Sequence, residues 1–332
     1  MEKKIYLLLL AVSALFFVAC DPDDGPDGPS ANTNYWDQTS WVKMQLKSKV
    51  KTLTEVQVWS TDESTGHTST IEFNEQGWIT QMMADRAHAP ATQPTVFQYE
   101  NGQLVNDGEN TYTYASHGKY IPRQTFHIKN VGLARNLASV TSAGGNNGEY
   151  GINCIFNNDT TLYFINWSMY NEERYEDTTI FIYEDKYPVK FLNRTDTWGE
   201  FMNASYQANG MFDVYEEGFL GFEEGGNAYT YRDSRKTYYK QDDLYLLEDR
   251  YENNFFNYEN PESNSTRTTS YVYNDKKDLV REESMEDMVR SELVEYAYEY
   301  DEKGNWTKRT STATYGENEP YTITTTRTIV YY

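Results

Sequence analysis

Apolar and polar residues alternate along much of this chain with a period of two. The clearest case is residues 321–332, where Tyr, Ile, Thr and Arg at odd positions alternate with Thr, Val and Tyr at even positions. Side chains two apart in a β-strand share a face, so this pattern predicts an extended strand. At about 3.3 Å per residue, such a strand is on the order of 40 Å long.

A second pattern repeats within this alternation: two aromatic or apolar residues two apart, a polar turn, and a new apolar run. The best copy is residues 298–306, and residues 71–79 and 97–104 have nearly the same arrangement. In each copy an acid or Asn opens the turn, and Gly takes the positive φ that returns the chain into the next strand. The predicted turn glycines are Gly77, Gly102 and Gly304.

Looser copies occur at residues 112–118, 181–185 and 271–275, of which the last two lack a turn glycine. Each copy predicts a β-hairpin, and a series of hairpins forms an antiparallel meander. We therefore predict an all-β fold, a long antiparallel meander of hairpins with little helix, whose sheet is open and twisted, curled or barrel-like. The best helix candidate is residues 283–293, which a strand and a loop fit equally well.

The aromatic, acidic and glycine positions of these copies resemble the YD repeats of the RHS family. They resemble more closely the repeat-bearing surface lipoproteins of unknown function from Bacteroidetes. The resemblance covers much of residues 70–332, with Gly77, Gly102 and Gly304 in the well-formed copies. It implies a β-rich architecture and no particular chemistry, since RHS repeats build β-rich shells and carry toxic activities in separate domains. This chain has no room for such a domain.

The N-terminus has the layout of a secretory signal, with a positively charged head and an apolar run at residues 5–18. A membrane-spanning helix needs about 20 apolar residues, so this shorter run favours cleavage over retention. Residues 17–20, Phe-Val-Ala-Cys, resemble the lipobox of bacterial lipoproteins, with Phe17 in place of the usual Leu. The resemblance implies cleavage before Cys20 and attachment to a membrane through acyl chains on its thiol. An ordinary signal peptide that contains a cysteine is the alternative.

Residues 21–29 consist of Asp, Pro and Gly, which bury nothing, and predict a disordered tether. An acidic run behind an acylated cysteine resembles the surface-export signal of Bacteroidetes lipoproteins and implies the exterior face of the outer membrane. A plain solvated linker is the alternative. We therefore divide the chain into a signal peptide (residues 1–19), a lipidated acidic tether (20–34) and a repeat-containing β domain (35–332).

Charge and cysteine content narrow the class of partner. The chain has 51 Asp and Glu against 29 Lys and Arg, for a formal net charge of −22. Nucleic-acid binding is disfavoured, because phosphate backbones are bound mainly by positive charge. If Cys20 is acylated, Cys154 is the one remaining thiol and forms no internal disulfide. Cys154 alternates with Ile152 and Phe156, which predicts a packed, inert thiol on the apolar face of a strand.

The sequence contains no motif that carries a recognisable chemistry. None of the four histidines has a paired metal-ligand spacing such as H-E-x-x-H. They are His67, His88, His117 and His127. A nucleophile elbow, a P-loop and a dinucleotide-binding fingerprint are also absent. We predict no catalytic residue, no metal and no cofactor, although the paired carboxylates of a glycosidase need no motif.

Two local features have open interpretations. Residues 213–226 interleave Tyr, Phe, Glu and Gly, and form either a flexible acidic hairpin end or a ligand or calcium loop. We favour the hairpin end. Thr160 and Thr178 lie in Asp-Thr-Thr triplets, which resemble the short O-glycosylation signal of Bacteroidetes exported proteins.

Aromatic residues make up 16% of the chain, with 30 Tyr. They suit half-buried strands, and they also stack on ligands. Our first hypothesis is a noncatalytic surface lipoprotein that presents an aromatic-rich sheet to a glycan or a protein partner, with Trp78 and Trp306 as candidate stacking residues. The second is a structural scaffold in a cell-envelope assembly, and the third is a glycan-active enzyme.

Overall fold

The computed structural model describes residues 37–60, 62–85, 93–122, 133–142, 149–170, 173–194, 198–222, 229–242, 245–257, 260–316 and 318–332. Within these residues the chain is almost entirely β-strand, and its one α-helix is α1, Ser40–Lys43. Its strands pair in the antiparallel sense along a meander. The predicted fold class is therefore confirmed.

The strands in chain order are β1 (Val50–Trp59), β2 (Asp62–Phe73), β3 (Ile79–Asp85), β4 (Thr95–Val96), β5 (Gln98–Glu100), β6 (Gln103–Asn106), β7 (Asn110–Tyr114), β8 (Tyr120–Pro122), β9 (Leu133–Arg135), β10 (Leu137–Ser142), β11 (Tyr150–Asn158), β12 (Thr161–Tyr170), β13 (Glu173–Glu184), β14 (Tyr187–Arg194), β15 (Trp198–Tyr206), β16 (Phe212–Phe222), β17 (Tyr229–Asp242), β18 (Tyr245–Asn257), β19 (Asn260–Tyr273), β20 (Leu279–Glu286), β21 (Val289–Tyr300), β22 (Trp306–Tyr315) and β23 (Tyr321–Tyr331).

Among the described strands, 21 belong to one sheet, and β8 and β9 pair with each other in a second. From β10 to β17, and again from β20 to β23, strands that are consecutive in the sequence pair with each other, as a meander requires. In addition, β7 pairs with β10, and β1 pairs with both β2 and β23. The first and last strands of the chain are therefore neighbours, with Leu53 opposite Ile329.

The strands divide between two compact units. Unit 1 comprises the described residues up to Thr95, together with Lys240–Asp249 and Thr268–Tyr332. Unit 2 comprises the described residues of Val96–Tyr239 and Arg250–Arg267. Each unit has its own apolar core. The buried core residues of unit 1 include Leu46, Val50, Leu53, Ile71 and Phe73. Those of unit 2 include Leu137, Ile152, Leu162, Phe164, Phe181, Tyr183, Met202 and Tyr215.

A five-residue turn joins β2 to β3 at residues 74–78. The backbone N–H of Asn74 donates to the carbonyl of Trp78, and the N–H of Gly77 donates to the carbonyl of Asn74. The Asn74 Oδ1 also accepts from the N–H groups of Gln76 and Trp78. A short polar side chain at the first position therefore satisfies donors that the turn would otherwise leave unpaired.

The same turn recurs in both units. Residues 274–278 and 301–305 repeat its backbone and side-chain hydrogen bonds, and residues 207–211 repeat its backbone bonds. The fourth residue has a positive φ each time. These residues are Gly77 (+86°), Gly210 (+87°), Lys277 (+69°) and Gly304 (+84°). The copy that lacks a turn glycine in the sequence therefore folds identically, with a lysine in the left-handed region.

Residues 37–49, here called the strap, lie against two of these turns in unit 1. The N–H of Trp41 donates to the carbonyl of Gly77, and a Cβ on Gly77 would lie 2.7 Å from the Trp41 ring. Asn305 exchanges two hydrogen bonds with the backbone of Lys47, at 2.7 and 2.8 Å. Gly77 is therefore required both for its positive φ and for the close approach of an indole. Gly102 follows Asn101 in a shorter turn between β5 and β6, where both have positive φ.

The candidate helix at residues 283–293 does not form. Its residues belong to β20 and β21, which pair as a hairpin, and Asp287 and Met288 make the two-residue turn between them. Both turn residues have positive φ. Pairing with both neighbouring strands supplies more backbone hydrogen bonds than a short isolated helix, which explains why the sheet overrides the local helical spacing.

Candidate functional site

Strands β11 to β17 of unit 2 form consecutive antiparallel pairs, so their alternate side chains divide between two faces. One of these faces carries the apolar core of the unit, with Ile152 on β11, Phe181 on β13 and Met202 on β15. We call it the core face. The prediction for Cys154 is met here, because its side chain packs against this core and burial raises the pKa of its thiol to about 12.

The apolar core covers only one end of the core face. Towards the other end, the same alternation leads to four aromatic side chains that are about half exposed. These are Tyr150 on β11 (47%), Tyr175 on β13 (52%), Trp198 on β15 (45%) and Phe219 on β16 (51%). We call these four residues the aromatic band. Among the residues whose side chains the structure describes, Tyr332 is the only other aromatic one exposed to this extent.

Polar side chains separate the rings of the band. Glu200 lies directly opposite Phe219 on the neighbouring strand, and Phe219 lies directly opposite Asp233 on β17. Directly opposed residues of an antiparallel pair project from the same face with Cβ atoms about 4.5–5.5 Å apart. The Phe219 ring therefore has a carboxylate neighbour on each side.

The polar row continues across the adjacent strands. Asn193 on β14 lies opposite Glu200, and its Nδ2 donates a long hydrogen bond of 3.5 Å to Asp177 Oδ2 on β13. Tyr175 precedes Asp177 by two residues on the same strand, so the two share the core face. The Tyr175 hydroxyl donates to Glu173 Oε2 at 3.0 Å. The amide and hydroxyl groups thus alternate with rings and carboxylates over several strands.

Local structure fixes where Trp198 lies in this arrangement. The turn at residues 207–211 sets the register of β15 against β16, and that register puts Gly221 directly opposite Trp198. A glycine at that position has no side chain to compete with the indole for space over β16. Sequence inspection did not find this site, because strand position alone does not reveal exposure. Aromatic residues recur near the ends of these strands, but only the strand register shows that they lie on the same face.

Flat aromatic rings with nearby carboxylate, amide and hydroxyl groups form a surface suited to ligands with both apolar and hydrogen-bonding parts. Among the described residues, no group of three or more His, Cys, Asp and Glu side chains has metal-ligand geometry. The helix in the described part of the chain is too short to span a membrane. The band therefore offers stacking and hydrogen bonding as its chemistry.

Other aromatic side chains of unit 2 are packed. Tyr187 stacks between Tyr120 and Tyr206, with ring centroids 5.2 and 4.5 Å apart. The buried Tyr183 donates its hydroxyl to the carbonyl of Tyr120 at 3.1 Å, and burial raises the pKa of Tyr183 well above its usual value. These rings stabilise the core, and the band differs from them by its exposure.

Trp306, a candidate stacking residue from the sequence, is packed in unit 1 and only 7% exposed. The Arg327 guanidinium carbon lies 3.4 Å from the centre of its ring, and Tyr298 approaches edge-on at 6.1 Å. This packing leaves the indole no open face for a ligand. Trp78 is partly buried beside its turn, where its backbone N–H donates to Asn74 Oδ1. Its stacking role stays a prediction.

The packing of Trp306 belongs to a buried polar cluster, which consists of Trp306, Arg327, Glu55, Asp278 and Tyr300. Arg327 Nε donates to Glu55 Oε1 at 2.7 Å, and burial lowers the pKa of Arg327 against the opposing effect of Glu55. The Tyr300 hydroxyl donates to Asp278 Oδ2 at 2.7 Å. Burial nevertheless raises the pKa of Asp278 above its usual value. Unit 1 thus pairs these polar groups with one another beside a packed indole. Unit 2, in contrast, exposes the four rings of the aromatic band.

The remaining predicted residues are placed as follows. Thr160 is exposed in the turn between β11 and β12, and both its N–H and its hydroxyl donate to Asn158 Oδ1 at 2.9 Å. Thr178 is exposed on β13, opposite Ile165 and away from the core face. Their O-glycosylation stays a prediction.

Several predictions fall outside the described residues. These are the signal peptide, Cys20 and the acidic tether, together with His88 and His127. Of residues 213–226, the described part up to Phe222 forms most of β16 rather than a loop.

No family model matches this sequence, and no curated protein matches it. Solved structures give matches with low scores. A porin-like protein from Bacteroides uniformis ATCC 8492 aligns with a TM-score of 0.33 at 11% identity, over 86% of this chain and 99% of that one. A porin-like protein from Bacteroides vulgatus ATCC 8482 gives a TM-score of 0.30 at 11% identity, with the same coverage.

A Photorhabdus luminescens Tc holotoxin pore structure, a TccC3 mutant, matches with a TM-score of 0.18 at 12% identity. That match covers 73% of this chain and 15% of the other. Scores and identities at this level are too low to assign the chain to a family or an activity.

Proposed function

We propose that this chain is a noncatalytic lipoprotein of the outer membrane that faces the cell exterior and binds a glycan through the aromatic band. The observation that carries the proposal is the concentration of exposed aromatic side chains in one place. Of the aromatic residues whose side chains the structure describes, five are about half exposed, and four of these lie at one end of the core face. A cluster of large, exposed aromatic side chains on one surface is typical of a binding site.

The polar groups between the rings favour a glycan over a protein partner. The cores of protein interfaces are depleted in Asp and Glu, whereas Phe219 has a carboxylate opposite it on both sides. Carboxylates accept hydrogen bonds from hydroxyl groups, and aromatic faces pack against the apolar C–H faces of sugar rings. A surface on which carboxylates alternate with aromatic rings therefore suits a ligand with many hydroxyl groups.

Glycan binding is tested with the chain from residue 20 onward, in which Cys20→Ser prevents acylation. We expect it to bind at least one oligosaccharide on a glycan array, and we expect Trp198→Ala and Phe219→Ala together to weaken that binding at least tenfold. The control is Tyr332→Ala, which removes an equally exposed ring from unit 1. Circular dichroism shows whether each variant keeps its β-structure.

Other outcomes would decide between the alternatives. Unchanged glycan binding by the Trp198 and Phe219 double variant would place the glycan site elsewhere. Absence of any glycan ligand, together with a constant cross-linked envelope protein whatever polysaccharide is supplied, would favour the scaffold function. Release of shortened oligosaccharide products would show an enzyme.

The membrane anchor is a separate part of the proposal. It is supported by the sequence pattern that ends at Cys20. We expect Cys20→Ala to move the protein from the membrane fraction to the soluble fraction and to abolish labelling by an alkyne fatty acid. Protease treatment of intact cells then reports which side of the outer membrane the β domain faces. Unchanged fractionation of the Cys20 variant would disprove the anchor and leave glycan binding as an independent claim.

A further inference from the structure

The aromatic band runs across the strands of unit 2 rather than along them. Its rings are carried by β11, β13, β15 and β16, which are separated by a total of five strand spacings. At about 4.8 Å per spacing, the band extends over about 24 Å. A ligand that contacts all four rings must therefore be extended and must lie across the strands.

The hydrogen-bonding groups within the band are mostly acidic. Asp177, Glu200 and Asp233 lie on the core face between or beside the rings. Among the described side chains of β11 to β17, the basic one on this face is Arg235, which lies opposite Glu217, and its guanidinium carbon is 3.8 Å from the centre of the Tyr251 ring. Arg174 and Lys190 project from the opposite face, since they pair with Met169 and Ile182 respectively.

From this placement, and resting on the proposed function, we infer that the ligand is a neutral, extended glycan that lies across strands β11 to β16. Its hydroxyl groups donate to the carboxylates, and its sugar faces pack on the rings. A uronate or sulfate group that packs beside Phe219 would lie within a few ångströms of the Glu200 and Asp233 carboxylates. At the lower effective dielectric near a protein surface, like charges about 4 Å apart repel strongly enough to weaken binding by about tenfold or more.

The test uses the chain from residue 20 with Cys20→Ser and measures affinities by calorimetry. The neutral probes are hexasaccharides of β-1,4-linked glucose, xylose and mannose. The anionic probes are a hexagalacturonate and a hyaluronan hexasaccharide. We expect at least one neutral probe to bind and every anionic probe to bind at least about tenfold more weakly at low salt. The difference should shrink at high salt, because exposed charges are screened.

Ligand length tests the direction of binding. The hexasaccharide of the bound type should bind at least about tenfold more tightly than its disaccharide, since only the longer chain contacts several rings. Equal affinity of the two lengths would overturn the extended placement. It would leave glycan binding itself intact.

A charge-removing pair of variants tests the role of the acids. Glu200→Gln with Asp233→Asn should raise affinity for the anionic probes severalfold. The matched control is Glu176→Gln with Glu184→Gln, which removes two exposed acids from the opposite face of β13 and should change nothing. If anionic probes bind as tightly as neutral ones, the inference is wrong while the proposed function stands. If no glycan of either kind binds, the proposed function fails.

Discussion

Trp306 in unit 1 and Trp198 in unit 2 have the same position in their strands and opposite surroundings. Each is the first residue of its strand, β22 and β15 respectively. Trp306 is buried beneath the Arg327 guanidinium, whereas nearly half of the Trp198 surface is exposed to solvent opposite a glycine. The comparison teaches that strand position predicts which face an aromatic residue occupies, but not whether another side chain covers it.

The cover in unit 1 is a charged group, and this has an energetic consequence. Arg327 can lie buried on the indole because Glu55, directly opposite on β1, accepts its Nε–H at 2.7 Å. A buried charge without such a partner costs several kcal/mol. Trp306 is therefore part of a paired polar cluster, while the four rings of the aromatic band are each about half exposed.

The largest expected effect follows from breaking the ion pair that covers Trp306. Arg327→Ala leaves the Glu55 carboxylate buried without its partner, so we expect the free energy of unfolding to fall by about 3–5 kcal/mol. Urea denaturation measures this change. Combining Arg327→Met with Glu55→Gln should recover at least half of the loss, because no uncompensated charge is left. A fall of less than about 1 kcal/mol in Arg327→Ala would show that the pair contributes little.

The two tryptophans themselves give the next largest contrast. Trp306→Ala creates a cavity in a packed region and should lower the free energy of unfolding by about 3–5 kcal/mol. Trp198→Ala removes a half-exposed ring and should lower it by less than about 1 kcal/mol. Equal destabilisation by the two changes would contradict the structural distinction between a packed ring and a half-exposed ring.

The turn glycines of unit 1 give an intermediate effect. Gly77 and Gly304 both have positive φ, but an added Cβ meets the Trp41 ring at 2.7 Å only at Gly77. Its nearest contact at Gly304 is Lys47 Cγ at 3.9 Å. We expect Gly304→Ala to cost about 1 kcal/mol from backbone conformation alone and Gly77→Ala to cost roughly twice that. Thermal unfolding of both variants checks the ranking, and a reversed order would refute it.

The smallest effect is the pH dependence of the polar cluster. Burial raises the pKa of Asp278 in the folded chain, so its contribution to stability is fully present below the unfolded pKa and is lost as the pH rises through the folded pKa. The Asp278→Asn variant does not lose stability in this way, because its amide does not titrate. Relative to wild type, we expect the Asn variant to become more stable as the pH rises from below the usual Asp pKa to neutrality. A stability difference that is constant over this range would show that Asp278 does not titrate with a raised pKa.

The repeat turns show how far local sequence determines local structure. An acid or Asn at the first position and a glycine at the fourth predicted the turns at Gly77 and Gly304, because few other residues satisfy the same donors and the same φ. Lys277 takes the glycine position in a third copy, since the pairing of β19 with β20 and the hydrogen bonds of Asn274 hold it there. The sequence pattern therefore found this copy but gave no sign of which residue takes the positive φ.

The sequence by itself determined the all-β class, the hairpin series and the alternation that assigns each side chain to one face. These depend on properties of neighbouring residues, namely period-two burial and turn chemistry. Only the tertiary structure decided which aromatic rings are covered. The pairing of β1 with β23 brings Glu55 to Arg327 across more than 270 residues, and the register of β15 with β16 places Gly221 beside Trp198. Exposure depends on these distant partners, and their identity is not encoded in any local pattern.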